Sequence, residues 1–117
     1  MPKPLTGLVM TAVALVAAVI LSACQSGTPV STETSQVHIV VIEQFKFIPE
    51  TVEVRPGDRI VWINRDIVPH TATAKDKSWD TGLIQGGERR EIRVTPEMFL
   101  EYYCDYHPVM TARLAIN

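Results

Sequence analysis

Cysteine is scarce in this 117-residue chain, with only Cys24 and Cys104. At most one internal disulfide can form, which excludes a disulfide-dense scaffold. Charge of either sign is also in short supply. Eleven Lys and Arg stand against thirteen Asp and Glu, for a net charge of −2, so the basic footprint of a nucleic-acid binder is missing. No Cys-x-x-Cys-His run occurs, which excludes a c-type haem attachment. Nothing resembles a nucleophile–base pair or a paired-carboxylate site, so the chain reads as a non-enzyme. The length accommodates one domain and excludes a multi-domain enzyme or a polytopic membrane protein.

Hydrophobic residues make up 46% of the chain but are unevenly spread. Met1-Pro2-Lys3-Pro4 precedes an apolar run from Leu8 to Leu21, interrupted only by Thr11. That run falls short of the roughly 20 residues a bilayer-spanning helix needs. A charged start and a short apolar core have the layout of an export signal. The next residues, Leu21-Ser22-Ala23-Cys24, resemble the lipobox of bacterial lipoproteins, whose cysteine is lipidated and becomes the mature N-terminus. Residues 1–23 are thus expected to be a lipoprotein signal peptide, with Cys24 as the lipidation site. Acyl chains would then anchor the protein at a membrane surface. Gln25, where Asp often marks inner-membrane retention, points to the outer membrane. Residues 24–36 hold one large apolar residue, Val30, and cannot bury enough surface to fold. They read as a flexible tether with a mean reach of about 20 Å.

From residue 37 onward the apolar period is two rather than 3.6. Val37–Ile42, Phe45–Ile48, Thr51–Val54, Arg59–Ile63, Thr71–Ala74, Arg89–Val94, Glu101–Cys104 and Ala112–Ile116 read as strands. Arg55-Pro56-Gly57-Asp58 is a turn signal between two of them. Pro96–Leu100 allows one helical turn at most. Short strands with turns between them predict an all-β sandwich or barrel over residues 37–117. About 80 residues make a small core that a metal would help to stabilise. With Cys24 carrying lipid, Cys104 has no partner, and a lone thiol in an exported domain needs a reason.

Cys104-Asp105-Tyr106-His107-Pro108-Val109-Met110 supplies a thiolate, an imidazole and a thioether within seven residues. It lies on a loop between the last two predicted strands. A second imidazole, His70, lies 34 residues upstream, after Val68-Pro69. Two His, one Cys and one Met form the donor set of blue-copper sites, with the Met as a weak axial ligand. Thiolate and thioether favour Cu(I), while imidazole serves both oxidation states. Zinc is the main competitor, although structural zinc sites rarely use Met. A dinuclear copper site would need a second cysteine in the loop. Each residue alone has a plainer reading: a buried thiol, a core methionine, a loop histidine.

Phe45-x-Phe47-x-Pro49-x-x-Val52-x-Val54-x-Pro56-Gly57-Asp58-x-Ile60-x-Trp62-x-Asn64 and Asn64-Arg65-Asp66-x-x-Pro69-His70-Thr71 resemble the approach to the first copper ligand in cupredoxins. The two-residue spacing between His107 and Met110 is similar to the short amicyanin form; plastocyanin and pseudoazurin place more residues there. The resemblance covers about residues 37–117. It implies a cupredoxin-like Greek-key β-sandwich or barrel of about seven to eight strands, holding one type 1 copper on His70, Cys104, His107 and Met110. It also implies a monomeric single-electron carrier that meets its redox partners transiently, with c-type cytochromes and an amine dehydrogenase serving amicyanin relatives. Two departures stand out. Family members often have Asn after the first His, where a side chain ties the ligand loops together; here it is Thr71. Many have Pro before the second His, where this chain has Tyr106.

Other residues carry plainer expectations. His38 reads as a surface strand residue, Trp62 and Met98 as core, and Trp79 as a partly exposed loop aromatic. Tyr103 adjoins Cys104 and is either strand packing or, by the resemblance, part of an electron route. Pro69, Pro108 and Val109 would form an apolar docking patch around His107. Lys75, Lys77, Arg89 and Arg90 read as solvated. The expected role is electron shuttling at the bacterial cell envelope, in the periplasm or on the extracytoplasmic surface. The alternatives are copper storage or delivery, which a Met-rich tract would support but only Met98 and Met110 follow Cys24, and a β-sandwich interaction module with an incidental cysteine.

Overall fold

Alternating side chains along a short strand turn one row inward and the next outward, so two such sheets can close a core between them. The chain does this over its folded part. A computed structural model describes residues 34–117 and the isolated positions Pro2, Pro4 and Gly7. Apart from those three positions, the expected leader lies outside the described residues, as do Cys24 and residues 25–33 of the tether.

Eight strands follow in order: β1 (Val37–Glu43), β2 (Lys46–Ile48), β3 (Thr51–Val54), β4 (Arg59–Asn64), β5 (Thr73–Ala74), β6 (Arg89–Arg93), β7 (Glu101–Tyr103) and β8 (Thr111–Ile116). Every expected strand forms, with ends displaced by no more than two residues. One sheet runs β2-β1-β4-β6 and the other β3-β8-β7-β5. Most neighbours are antiparallel, but β1 runs parallel to β4 and β3 parallel to β8. The all-β sandwich expected from the period-two pattern is therefore present. Residues 96–100 contain a turn rather than a helix.

The core takes the inward row of each strand. Val40 and Ile42 of β1, Phe47 of β2, and Ile60 and Trp62 of β4 meet Val52 and Val54 of β3, Tyr102 of β7 and Leu114 of β8. Tyr102 packs edge-on against Phe47 at 4.8 Å and against Trp62 at 5.7 Å between ring centres. Trp79 stacks on Trp62 and donates its Nε1–H to the Phe99 carbonyl, which holds this loop aromatic against the core. Met98 is buried, as expected. Burying each large side chain stabilises the fold by about 1.5–3 kcal/mol.

A two-residue hairpin, Gln44-Phe45, joins β1 to β2, with Glu43 opposite Lys46. Both loop residues have positive φ, 51° and 58°. Tight two-residue turns require this conformation, and glycine normally supplies it. Something outside the hairpin must hold two non-glycine residues there.

The turn between β3 and β4 is held by Asp58, which is 5% exposed. Its carboxylate accepts the backbone N–H groups of Gln36 at 2.9 Å and Arg55 at 3.0 Å, and His38 Nε2 lies 2.8 Å away. His38 is thus a partly buried, paired residue rather than a free surface one. The Gln36 N–H and the His38 side chain, against the cost of burial, lower the Asp58 carboxyl from 3.8 to about 2. A depressed folded-state value means that this stability is full above pH 4 and fades as pH falls towards 2. Asp58→Asn is expected to cost roughly 2 kcal/mol at pH 7 and to flatten acid unfolding between pH 4 and 2, measured by denaturant titration across pH.

Candidate metal centre

Three loops and strand ends converge at one end of the sandwich. His70 follows β4 by six residues and forms an isolated bridge with Ile84. Its backbone N–H donates to the Ile84 carbonyl at 3.1 Å, and its own carbonyl accepts from Ile84 N–H at 2.8 Å. Asn64, at the end of β4 and fully buried, braces the intervening turn. Its side-chain amide donates to the carbonyls of Val68 and Ile84, and its oxygen accepts the Asp66 N–H. Gly86 packs so closely on this turn that a Cβ would lie 2.6 Å from the Asp66 carbonyl oxygen.

Cys104 follows β7 directly. Its N–H donates to the Met110 carbonyl, Met110 N–H to the His107 carbonyl, and His107 N–H to the Cys104 carbonyl, at 2.9–3.2 Å. These three bonds wind residues 104–110 into a tight loop.

His70, Cys104 and His107 bring one donor atom each within 4.8 Å of one another. Cys104 Sγ lies 3.6 Å from His70 Nδ1 and 3.7 Å from His107 Nδ1. Cys104 and His70 have no solvent exposure, and His107 is partly exposed. The imidazoles stand 5.0 Å apart, and Phe45 meets both edge-on, at 5.3 Å from His70 and 4.9 Å from His107. Bonds of about 2.0–2.3 Å from one ion to nitrogen and sulfur span such separations. The donor set therefore fits a single soft metal ion. Met110, the fourth expected ligand, is buried in the same loop. Cys24 lies outside the described residues.

The residues around these side chains restrict them. Thr71 N–H points at Cys104 Sγ, 3.4 Å away. The Thr71 hydroxyl accepts the Asp105 N–H at 2.8 Å and contacts Thr73 Oγ1 at 2.9 Å. The departure at position 71 thus preserves the tie between the two ligand loops, with a hydroxyl as the acceptor.

Asp66 was legible only as part of a motif, without a role. Its Oδ2 lies 2.8 Å from His70 Nε2, and its two oxygens accept the N–H groups of Gln44 and Phe45 at 2.7 and 3.0 Å. Burial pushes its carboxyl up, but the bonds from Phe45, His70 and Gln44 outweigh this and leave it below the usual carboxylate range. An acid four residues before a predicted ligand His was the one signal available in the sequence.

Lys77 is exposed, as expected, but it is not unpartnered. It pairs with Asp105 at 2.7 Å, bonds the Tyr103 hydroxyl and lies over the Tyr103 ring. The bonds from Lys77 and Tyr103 lower the Asp105 carboxyl.

An all-β sandwich that gathers a buried thiol and two imidazole nitrogens at one end offers a site for one soft metal ion. The comparisons with known proteins agree. Residues 35–117 match the family of copper-binding proteins of the plastocyanin/azurin type, and the chain belongs to that family. It is a cupredoxin, a blue-copper electron-transfer protein carrying one type 1 copper. It is 24% identical over 112 residues to amicyanin-alpha of Methylorubrum extorquens, covering 92% of this chain and 89% of that protein. It is 20% identical over 84 residues to amicyanin of Paracoccus versutus, covering 68% of this chain and 64%, less than two thirds, of that protein. Solved structures with the same fold include an amicyanin variant in the Cu(I) form, at TM-score 0.62 and 21% identity over 69% of this chain and 82% of the other. A purple cupredoxin from Nitrosopumilus maritimus aligns at TM-score 0.63 and 21% identity, over 68% of this chain and 99% of the other.

Gly86→Ala would drive a methyl into backbone oxygens of the turn that carries His70. It is expected to cost about 1–3 kcal/mol, read as a lower denaturant midpoint, whereas an unchanged midpoint would show that the turn can yield.

Proposed function

We propose that His70 Nδ1, Cys104 Sγ, His107 Nδ1 and the Met110 thioether hold the copper, and that the chain carries single electrons between proteins at the bacterial cell envelope without transforming a substrate. The observation that carries the reading is the orientation of both Nδ1 atoms towards one buried thiol. Copper supplies a one-electron couple between Cu(I) and Cu(II). The protein's part is to hold the donors in a geometry between the preferences of the two states, so that little rearranges when an electron moves.

Each surrounding contact serves that end. Burial of Cys104 keeps water from the thiolate, and the Thr71 N–H tempers its charge. Asn64 and the Ile84 bridge fix the backbone of His70, while the bonded loop 104–110 fixes His107. His107 is the donor partly open to solvent, which makes its edge the short route for an electron.

The ligand loops also present apolar surface. Val109 is 92% exposed and Ile67 98%, and Tyr106 and Pro108 are exposed with them. An apolar surface of this kind suits brief encounters with redox proteins that bury little area. Two of its relatives are amicyanins, and a c-type cytochrome or a dehydrogenase is the kind of partner that the resemblance implies. The carrier works as a monomer held by lipid on Cys24 of the leader-and-tether segment, with its domain, residues 37–117, in the periplasm or on the extracytoplasmic surface.

Protein loaded with Cu(II) is expected to be intensely coloured through thiolate-to-copper charge transfer, and Cys104→Ala to lose that colour. A colourless Cu(II) complex, or colour that survives the substitution, would sink the assignment. The full chain made in a bacterium is expected to partition with membranes, and Cys24→Ser to release it to the soluble fraction. Membrane association unaffected by that change would contradict the lipid anchor.

A further inference from the structure

The carboxylate of Asp66 touches three groups from two separate parts of the chain. Its side chain is 11% exposed. One oxygen accepts Gln44 N–H at 2.7 Å; the other accepts Phe45 N–H at 3.0 Å and lies 2.8 Å from His70 Nε2. A carboxylate only accepts, so Nε2 must carry the proton of that bond. The neutral imidazole then leaves Nδ1 as its lone-pair nitrogen, and Nδ1 is the atom that faces Cys104 Sγ at 3.6 Å. The same two oxygens hold Gln44 and Phe45 in the left-handed conformation that non-glycine residues resist. That conformation places the Phe45 ring edge-on against both imidazoles.

We propose that Asp66 is a positioning residue that sets the redox balance of the site, through a carboxylate–His70 bond that selects the Nδ1 donor and favours the more positive oxidation state of the copper. This rests on the ligand assignment proposed above. The physical reason is charge. A carboxylate hydrogen-bonded to a ligand imidazole raises its basicity, and in a nearly dry setting its negative charge is poorly screened. Cu(II) gains more from both effects than Cu(I) does. Phe45, pinned by the same group and itself half-exposed, packs against both imidazoles.

Asp105 provides the control. It also lies near the thiol in sequence, but it is exposed and paired with Lys77. Its charge is therefore screened and partly neutralised.

The test is spectroelectrochemical titration of copper-loaded wild type, Asp66→Asn and Asp105→Asn. Asp66→Asn keeps the shape and removes the charge. At a fixed applied potential its ratio of Cu(I) to Cu(II) is expected to rise about tenfold, in line with the lower end of outer-shell effects on metal affinity. For one electron that is about 59 mV upward. Asp105→Asn is expected to change the ratio less than about threefold. A ratio for Asp66→Asn within about twofold of wild type, or a fall in it, would overturn the proposal, because a purely structural turn anchor would lower stability and leave the ratio alone. Should Asn at 66 fail to fold, nitrogen-15 NMR of copper-free wild type decides. A protonated Nε2 with a slowly exchanging hydrogen, and a bare Nδ1, on His70 supports the proposal; the opposite tautomer overturns it. Wild type that fails to colour with Cu(II) would instead defeat the ligand assignment, a result separable from either of these.

Discussion

Cys104 places a thiol out of contact with solvent and turns two imidazole nitrogens and one backbone N–H towards it. Holding those groups together is the constraint on which the rest of the molecule depends. Two imidazoles and a thiol packed this closely gain little from one another without an ion, since each nitrogen–sulfur separation exceeds a strong hydrogen bond. The cost is met by the scaffold. Asn64 satisfies buried carbonyls on the His70 side, Thr71 links the two ligand loops, and the sandwich core lies directly beneath through Tyr102, two residues before the thiol.

The division of labour between core and site explains why much of the fold was legible. Period-two alternation reports which side chains face inward, and β1, β2, β3 and β8 carry it clearly, whereas β4 buries Ile60, Val61 and Trp62 in succession. Their ends were less legible. Thr71 and Thr73 are both buried and polar, so the alternation around the short β5 cannot mark where pairing begins. The donor set was legible because Cys, His and Met fall within one loop, and because His70 follows a recognisable approach. The contacts that orient those donors were not. Asp66 acts on a hairpin more than twenty residues earlier, and only the parallel pairing of β1 with β4 brings the two together. No local pattern encodes such a meeting. Thr71 illustrates the same limit from the other side. Position by position it looked like a loss of the loop tie, yet the Thr71 hydroxyl accepts the Asp105 N–H across the two loops.

Charge was read with the same mixed success. Lys77 sits in a polar loop and carries no motif, but it pairs with Asp105 and covers Tyr103 on the strand next to the thiol. His38 finds its partner, Asp58, across two strand starts brought level by the β1–β4 register. Both pairs join residues at least twenty positions apart. The rule that emerges for this chain is that backbone pattern was local and readable, whereas side-chain partnership was topological.

These features describe a site whose donors are held in place by the surrounding scaffold rather than by one another. Crystal structures of the copper-free and copper-loaded protein test that claim most directly. The account predicts that His70 Nδ1, His107 Nδ1 and Cys104 Sγ keep their positions to within about 0.5 Å and that the Asp66–His70 bond is present in both. An imidazole swung away from the thiol in the copper-free form, or a ligand loop that folds only with copper bound, would contradict it.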